Sequence, residues 1–289
     1  MSTAEPTALV ERGLDALEAL ESLDRRRGLG RRVVTAAAPP LVAVGTLLAV
    51  WQIVSLSGWK PDYVLPSPGS VWQAFSEQWR AGHITQAVWT SLSRCAIGFA
   101  ISLAVGTPLA LLMARVRPVR LALGSLLAGL QSLPSVAWVP AGIIWFGLTE
   151  RAILFVVVMG ALPSIVNGLM SAVDAIPPTL LRAGRAMGAH GIALYRHVVL
   201  PAALPGYVAG MKQAWAFAWR SLMAAELITL SPDLGLGLGQ LLDSGREQID
   251  MPLVIMSILV ILVVGVGVHS LVLGPLERRT LRVRGLRPA

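Results

Sequence analysis

Long apolar runs, separated by short polar and basic segments, set the rhythm of this chain. Six of them approach or exceed the ~20 residues a helix needs to cross a bilayer. They lie at roughly residues 34–56, 85–113, 121–147, 151–171, 205–229 and 252–274. None alternates with period two, so each is expected as a helix that satisfies its own backbone in lipid, and a barrel is not expected. Ahead of the first run, "ALVERGLDALEALESLD" (residues 8–24) places Val10, Leu14 and Leu17 on one helical face with acids opposite. "RRRGLGRR" follows as a basic anchor. Between the first two runs, prolines and glycines predict a loop. Ser70 is then expected to cap a short interfacial helix carrying Val71, Trp72, Phe75 and Trp79.

Composition agrees with the pattern. The 289 residues are 55% hydrophobic and only 14% charged, where soluble domains carry about 25% charged residues. The expected class is an all-α integral membrane protein. Its parts are a cytoplasmic amphipathic helix and anchor (1–33), a transmembrane domain (34–276) and a basic tail (277–289). No internal repeat is evident.

The net charge of +8 raises the question of nucleic acid, and its distribution answers it. Lysine occurs only at Lys60 and Lys212, and most arginines sit in clusters beside apolar runs. With the N-terminus inside, seventeen Lys and Arg fall in inner segments and four in outer loops, while Arg94, Lys212 and Arg220 lie within spans. That asymmetry predicts cytoplasmic termini, not a nucleic-acid surface. Cys95 is the single cysteine, so neither an internal disulfide nor a cysteine metal cluster is expected. Glu5, Glu11, Asp15, Glu18 and Glu21 precede the first apolar run, which argues against a secretory signal.

The inner segment between spans four and five reads "RAGRAMGAHGIALYRHVVLP", Arg182 to Pro201. Residues 178–187 can form a short helix that Gly188 breaks, with a second short helix running until Pro201 starts the next segment. Its small residues, Ala183, Gly184, Ala186 and Ala189, suit close approach to another protein, and helix-in-groove docking is a recurring recognition mode. A re-entrant or interfacial linker without a partner fits the spacing equally.

This segment resembles the EAA loop of ABC-importer permeases, E-A-A, three residues, G, nine residues, I-x-L-P. Ala183 and Gly188 match, followed by Val198, Leu200 and Pro201; Arg182 and Gly184 depart from the pattern. "YVLPSPGSVW", "LQSLPSVAWVPAGIIWFGLTE", "AWRSLMAAELI" and "LERRTLRVRG" extend the likeness over most of residues 60–280. They look like permeases of the aliphatic sulfonate, taurine, nitrate and bicarbonate group. The resemblance implies a type I (MetI-like) permease fold with six transmembrane helices in a bacterial inner membrane, surrounded by lipid. It also implies a second permease copy, forming a homodimer, a cytoplasmic ABC ATPase dimer carrying ATP and Mg, and an extracytoplasmic solute-binding protein. The loop at about 174–204 would then couple to the ATPase through Ala183, Gly184, Met187, Gly188, Ala189, Leu200 and Pro201.

One independent observation favours a separate engine. A P-loop needs G-x-x-x-x-G-K-[ST], because backbone N–H groups cradle phosphates and the lysine meets their charge. Trp59 precedes Lys60 and Met211 precedes Lys212, so neither lysine belongs to that motif. If ATP drives transport, another chain hydrolyses it, and no cofactor is expected here.

Ionisable groups in mid-bilayer cost ~2.5–3.5 kcal/mol on insertion scales and face protein or water. At 3.6 residues per turn, Lys212, Trp215, Trp219, Met223 and Glu226 share a face of span five, with Arg220 at its edge. That face either lines a route between two permease copies, with Arg220 meeting an anion, or holds an internal salt bridge. In span three, Pro134 and Pro140 are expected to bend the helix beside Gln131, Ser132 and Ser135, as a gate or as ordinary kinked packing.

The outer loop "SPDLGLGLGQLLDSGREQID" carries Asp233, Asp243, Glu247 and Asp250, which either dock a binding protein or are simply solvated. Its "GLGLG" follows no Rossmann strand and gives no nucleotide site. His83, His190, His197 and His269 lack metal-ligand spacing, and no nucleophile–base set suggests catalysis. The expected function is a non-catalytic permease for a small oxyanion, aliphatic sulfonates first, with nitrate, bicarbonate or taurine as alternatives. A stand-alone ion-coupled transporter is the alternative from another class.

Overall fold

Apolar segments that must satisfy their own backbones become helices, and the computed structural model contains no strand among its described residues, 42–61, 63–231 and 234–284 with Pro39. The expected helix at 8–24 and the basic anchor after it lie outside them. Two compact units divide the chain, residues 1–68 and 69–289. In the first, α1 (Val42–Leu56) is apolar. Trp51 Nε1 donates to the Pro66 carbonyl at 3.0 Å, folding the following turn back on the helix.

The second unit begins one residue into α2 (Pro68–Arg80), whose Trp72, Phe75 and Trp79 stack in series at 5.3 and 5.8 Å. The helix starts at Pro68, two residues before the expected cap at Ser70, because proline's fixed φ and missing N–H suit a first turn. Long spans follow: α3 (His83–Arg115), α6 (Glu150–Asp174) and α9 (Leu200–Ile228). α11 (Met251–Val268) continues through a π-helical turn into α12 (Gly274–Val283).

The third expected span is not a straight crossing. α4 (Arg117–Ser132) and the short helical run Ser135–Phe146 meet at 102°. Pro134 forces Leu133 into an extended conformation, φ −73° and ψ 133°, because its ring excludes the helical region for the preceding residue. Pro140 bends nothing. It lies in the first turn of α5 (Val139–Phe146), where its missing N–H has no helical partner to lose.

α6 is the central span, with 56% of its apolar window buried against 33% for α3 and 22% for the α9 and α11 spans. It touches α9 through small residues. A Cβ on Gly168 would stand 2.8 Å from Gly210 Cα, and one on Gly206 would meet Ala172 Cβ at 2.9 Å. Small residues allow such close backbone approach, and van der Waals packing supplies the association in lipid.

Candidate functional site

Three regions of the second unit gather the residues singled out by sequence. The first is the segment after α6. α7 (Pro178–Ala186) ends at a turn whose Gly188 has φ +86°, the left-handed region where a side chain is strained. α8 (Gly191–Leu194) passes through a π-helical turn, Tyr195–Val199, straight into α9. The helix expected to stop at Pro201 therefore does not stop, and Leu200 and Pro201 form the first turn of α9.

Leu194 and Val199 sink this segment into a core with Met113, Leu127, Leu169 and Ala203. Tyr195 Oη donates to the Ala114 carbonyl at 3.2 Å. Gly184, expected to face a partner, is instead buried inside the segment. A Cβ there would lie 2.8 Å from Val198 Cγ2 and 3.1 Å from Leu194 Cδ1, so glycine lets α7 lie on the following turn. Ala183 and Gly188 are exposed and Ala189 half-buried, while Met187 is 82% and Ile192 70% exposed. Two large apolar side chains thus stand clear of the protein among Arg182, Arg185 and Arg196, all exposed.

The second region lies at the break in the third span. A cavity of about 300 Å³ is bordered by Gln131, Ser132, Ser135, Gly160, Phe217 and Arg220. The fold thus brings together four polar residues that sequence assigned separately to spans three and five. Gln131 is held in place: its amide donates to Ser164 Oγ at 3.1 Å and accepts from Asn167 Nδ2 at 2.6 Å. Arg220 Nε donates to the Ala216 carbonyl at 3.2 Å, and its guanidinium sits 4.5 Å from the Phe217 ring centroid, a cation–π distance.

The other two cations set away from the ends of the apolar runs, Arg94 and Lys212, are neutralised within the chain. Arg94 pairs with Glu226 and Glu150, and Lys212 Nζ lies 2.6 Å from Glu277 Oε2. Arg220 has no carboxylate partner among the described residues and is exposed. Trp215 and Trp219, expected on the same route, border a separate apolar cleft against α11. Their indole N–H groups have no hydrogen-bond partner among the described residues.

Glu226 belongs to neither cavity, contrary to its expected place on the route. Its side chain is 0% exposed and fully engaged. Oε1 accepts from Arg94 Nη1 at 3.0 Å; Oε2 accepts from Ser91 Oγ at 2.7 Å and from the Gly239 N–H at 3.0 Å. The last bond lies at the start of α10 (Leu238–Glu247), where a helix dipole favours an anion. Gly237 and Gly239 make room for it: a Cβ on Gly237 would come within 2.5 Å of Glu226 Oε1. "GLGLG" does cradle an anion, and the anion is the chain's own carboxylate. Sequence missed Arg94 as its partner, although opposite charges buried in two apolar helices are a signal that they meet.

The acids of the loop after α9 divide. Asp233 lies outside the described residues. Asp243, expected to meet a partner, is buried and already accepts from Arg246 Nε at 2.7 Å. Asp250 caps α11 by accepting the Leu253 N–H at 3.2 Å. Glu247 is exposed beside a cavity of about 380 Å³ that Asp243 also borders. Among the described residues, no three His, Cys, Asp or Glu are grouped to hold a metal.

Residues 106–279 match the model of a family described as binding-protein-dependent transport system inner membrane component. The chain is 33% identical over 228 residues, 79% of its length and 85% of the relative's, to the putative aliphatic sulfonates transport permease protein SsuC of Escherichia coli. It is 32% identical, over 83% of its length and 88% of the relative's, to the riboflavin transport system permease protein RibX of Chloroflexus aurantiacus. Its fold resembles a solved inward-facing MetNI methionine ABC transporter, with a TM-score of 0.56 and 19% identity, covering 68% of this chain and 95% of that one.

Proposed function

The chain belongs to the family of binding-protein-dependent transport system inner membrane components, as an ABC-importer permease, and from that premise we propose that it imports small oxyanions, most of all aliphatic sulfonates, along a route beside Arg220. The observation that carries this reading is the state of Arg94, Lys212 and Arg220, the cations set away from the ends of the apolar runs. Arg94 and Lys212 have carboxylates at 3.0 and 2.6 Å, while Arg220 borders a polar cavity and has no carboxylate partner among the described residues. An uncompensated cation in a span is costly and characteristically marks an ion or substrate pathway. A guanidinium with hydroxyl and amide neighbours offers several donors to a planar or tetrahedral oxyanion. Its exposure keeps it hydrated between passages, so that binding is weak enough for release.

The family premise sets aside a stand-alone ion-coupled transporter. Identity alone does not choose the solute, since relatives at 33% and 32% are named for sulfonates and riboflavin. Sulfonates fit Arg220 better than a neutral solute does. Nitrate, bicarbonate and taurine share its charge logic and remain the alternatives.

In this reading two copies of the chain pair in a bacterial inner membrane with their termini in the cytoplasm. A separate ATPase dimer binds ATP and Mg and receives the segment 178–199. An extracytoplasmic binding protein delivers the solute at the α10 end. Exposed Met187 and Ile192 supply the apolar contact with the ATPase, and Gly184 keeps α7 and α8 moving as one piece. Reconstitution with the cognate ATPase and binding protein, followed by a solute screen for stimulated ATP hydrolysis, tests the assignment. Sulfonates are expected to stimulate, and stimulation by uncharged solutes alone would overturn it.

A further inference from the structure

Arg220 borders two cavities at once. On one side is the polar cavity with Gln131, Ser132 and Ser135. On the other is an apolar cleft of about 580 Å³ between α9 and α11, whose walls include Trp215, Ala216, Trp219, Leu262 and Val266. The cleft follows α11 from Ile258 to the start of the π-helical turn at His269, roughly 16 Å at 1.5 Å rise per residue. Apart from Arg220, His269 and the two indole N–H groups its walls are hydrocarbon, a poor lining for a nitrate or bicarbonate, which hold their hydration on every side. A cation at the edge of an apolar trough instead matches an anion that carries a hydrocarbon tail.

We propose that Arg220 divides one binding site for amphipathic organic anions, with the oxyanion head on the polar side of the guanidinium and an alkyl or aryl tail along the α9–α11 cleft. This rests on the oxyanion-import reading above and narrows it to organic sulfonates with tails of several carbons. A lipid headgroup is a poor partner for Arg220. Arg220 lies eight residues inside the end of α9 at Ile228, roughly 12 Å below it by helical rise, whereas lipid headgroups stay at the interface.

The test uses the full transporter, with its ATPase and binding protein, in proteoliposomes. Uptake of a straight-chain series from ethanesulfonate to octanesulfonate is compared between the wild type and Ala216→Phe, which fills the cleft from an exposed position. The same binding protein delivers each solute to both, so its own preference cancels from the ratio. Ethanesulfonate uptake is expected to stay within about twofold. The deficit should grow with tail length, by up to about fourfold for each methylene that loses its burial.

A deficit equal at every length, or none at any length, overturns the proposal and leaves the cleft to lipid. Loss of the permease dimer on size-exclusion chromatography also overturns it, by assigning the cleft to a helix of the second copy. If the wild type takes up short sulfonates but no long ones, the tail site is wrong while oxyanion import stands. If it takes up no sulfonate yet responds to another solute, the oxyanion reading itself fails. A second measurement avoids transport altogether. An ω-bromoalkanesulfonate is expected to quench tryptophan emission of the solubilised complex, and the Trp215→Phe/Trp219→Phe double variant to lose that component; quenching unchanged in the double variant overturns the proposal.

Discussion

Arg94 Nη1 stands 3.0 Å from Glu226 Oε1, with the two side chains 3% and 0% exposed, in helices 132 residues apart in sequence. The pair joins α3 to α9, and the second carboxylate oxygen extends the link to the first turn of α10. Removing one partner of a buried pair strands the other charge, at a cost of about 3–5 kcal/mol. Glu226→Ala is therefore expected to unfold at markedly lower temperature in detergent, with α10 the first element to lose hydrogen-exchange protection. Glu150 shares Arg94 from a position 58% exposed, and Glu150→Gln is expected to cost under about 1 kcal/mol. Equal losses for the two variants would contradict this ranking.

The glycines before α10 make a second, steric prediction. A Cβ at Gly239 would lie 2.6 Å from Glu226 Cβ and 3.0 Å from the Leu227 backbone nitrogen. Overpacking of this kind costs typically 1–3 kcal/mol. Gly239→Ala should lower the melting temperature. Gly235→Ala, whose Cβ would find its nearest neighbour at 4.0 Å, is expected to be near neutral. Thermal unfolding of the two variants side by side checks the contrast.

Much of this was legible in the chain, and the gaps have physical causes. Span positions follow from apolar length, so α3 and α6 begin and end within about three residues of expectation. Pro134 announced the break in span three, but Pro140 misled, because a proline's effect depends on whether it falls inside a helix or in its first turn. Helical periodicity put Trp219 and Glu226 on one face, yet a single-helix projection cannot say which neighbour each residue meets. Trp219 faces α11 and Glu226 faces Arg94. The polar cavity joins residues about 90 positions apart, and its parts, Gln131 and Arg220, were visible while their meeting was not.

Arg220 tests the transport reading most directly. It is exposed within the chain, so its loss should cost little stability. Arg220→Ala is expected to lower sulfonate uptake by an order of magnitude or more, since hydrogen bonds to charged groups contribute about 1.5–3 kcal/mol. Arg220→Lys should recover part of the loss, because it keeps the charge but not the planar set of donors. Uptake and stability both unchanged in Arg220→Ala would remove the residue from the route.

The segment that precedes α9 separates internal packing from docking. Gly184→Leu would drive a side chain into Val198 and Leu194 and lift α7 from the turn beneath it. The purified transporter is then expected to hydrolyse ATP without the increase that loaded binding protein normally gives. Met187→Ser and Ile192→Ser alter side chains that are 82% and 70% exposed among the described residues. Surface substitutions of that kind usually stay within about 0.5 kcal/mol in stability. Their effect should fall on assembly instead, as weaker retention of the ATPase when the permease is immobilised and washed. The two classes of variant thus predict opposite pairs of results: an assembled complex with idle coupling for Gly184→Leu, and a sound permease with a poorly held ATPase for the serine variants. Serine variants that retain the ATPase fully would place the docking surface elsewhere on the protein.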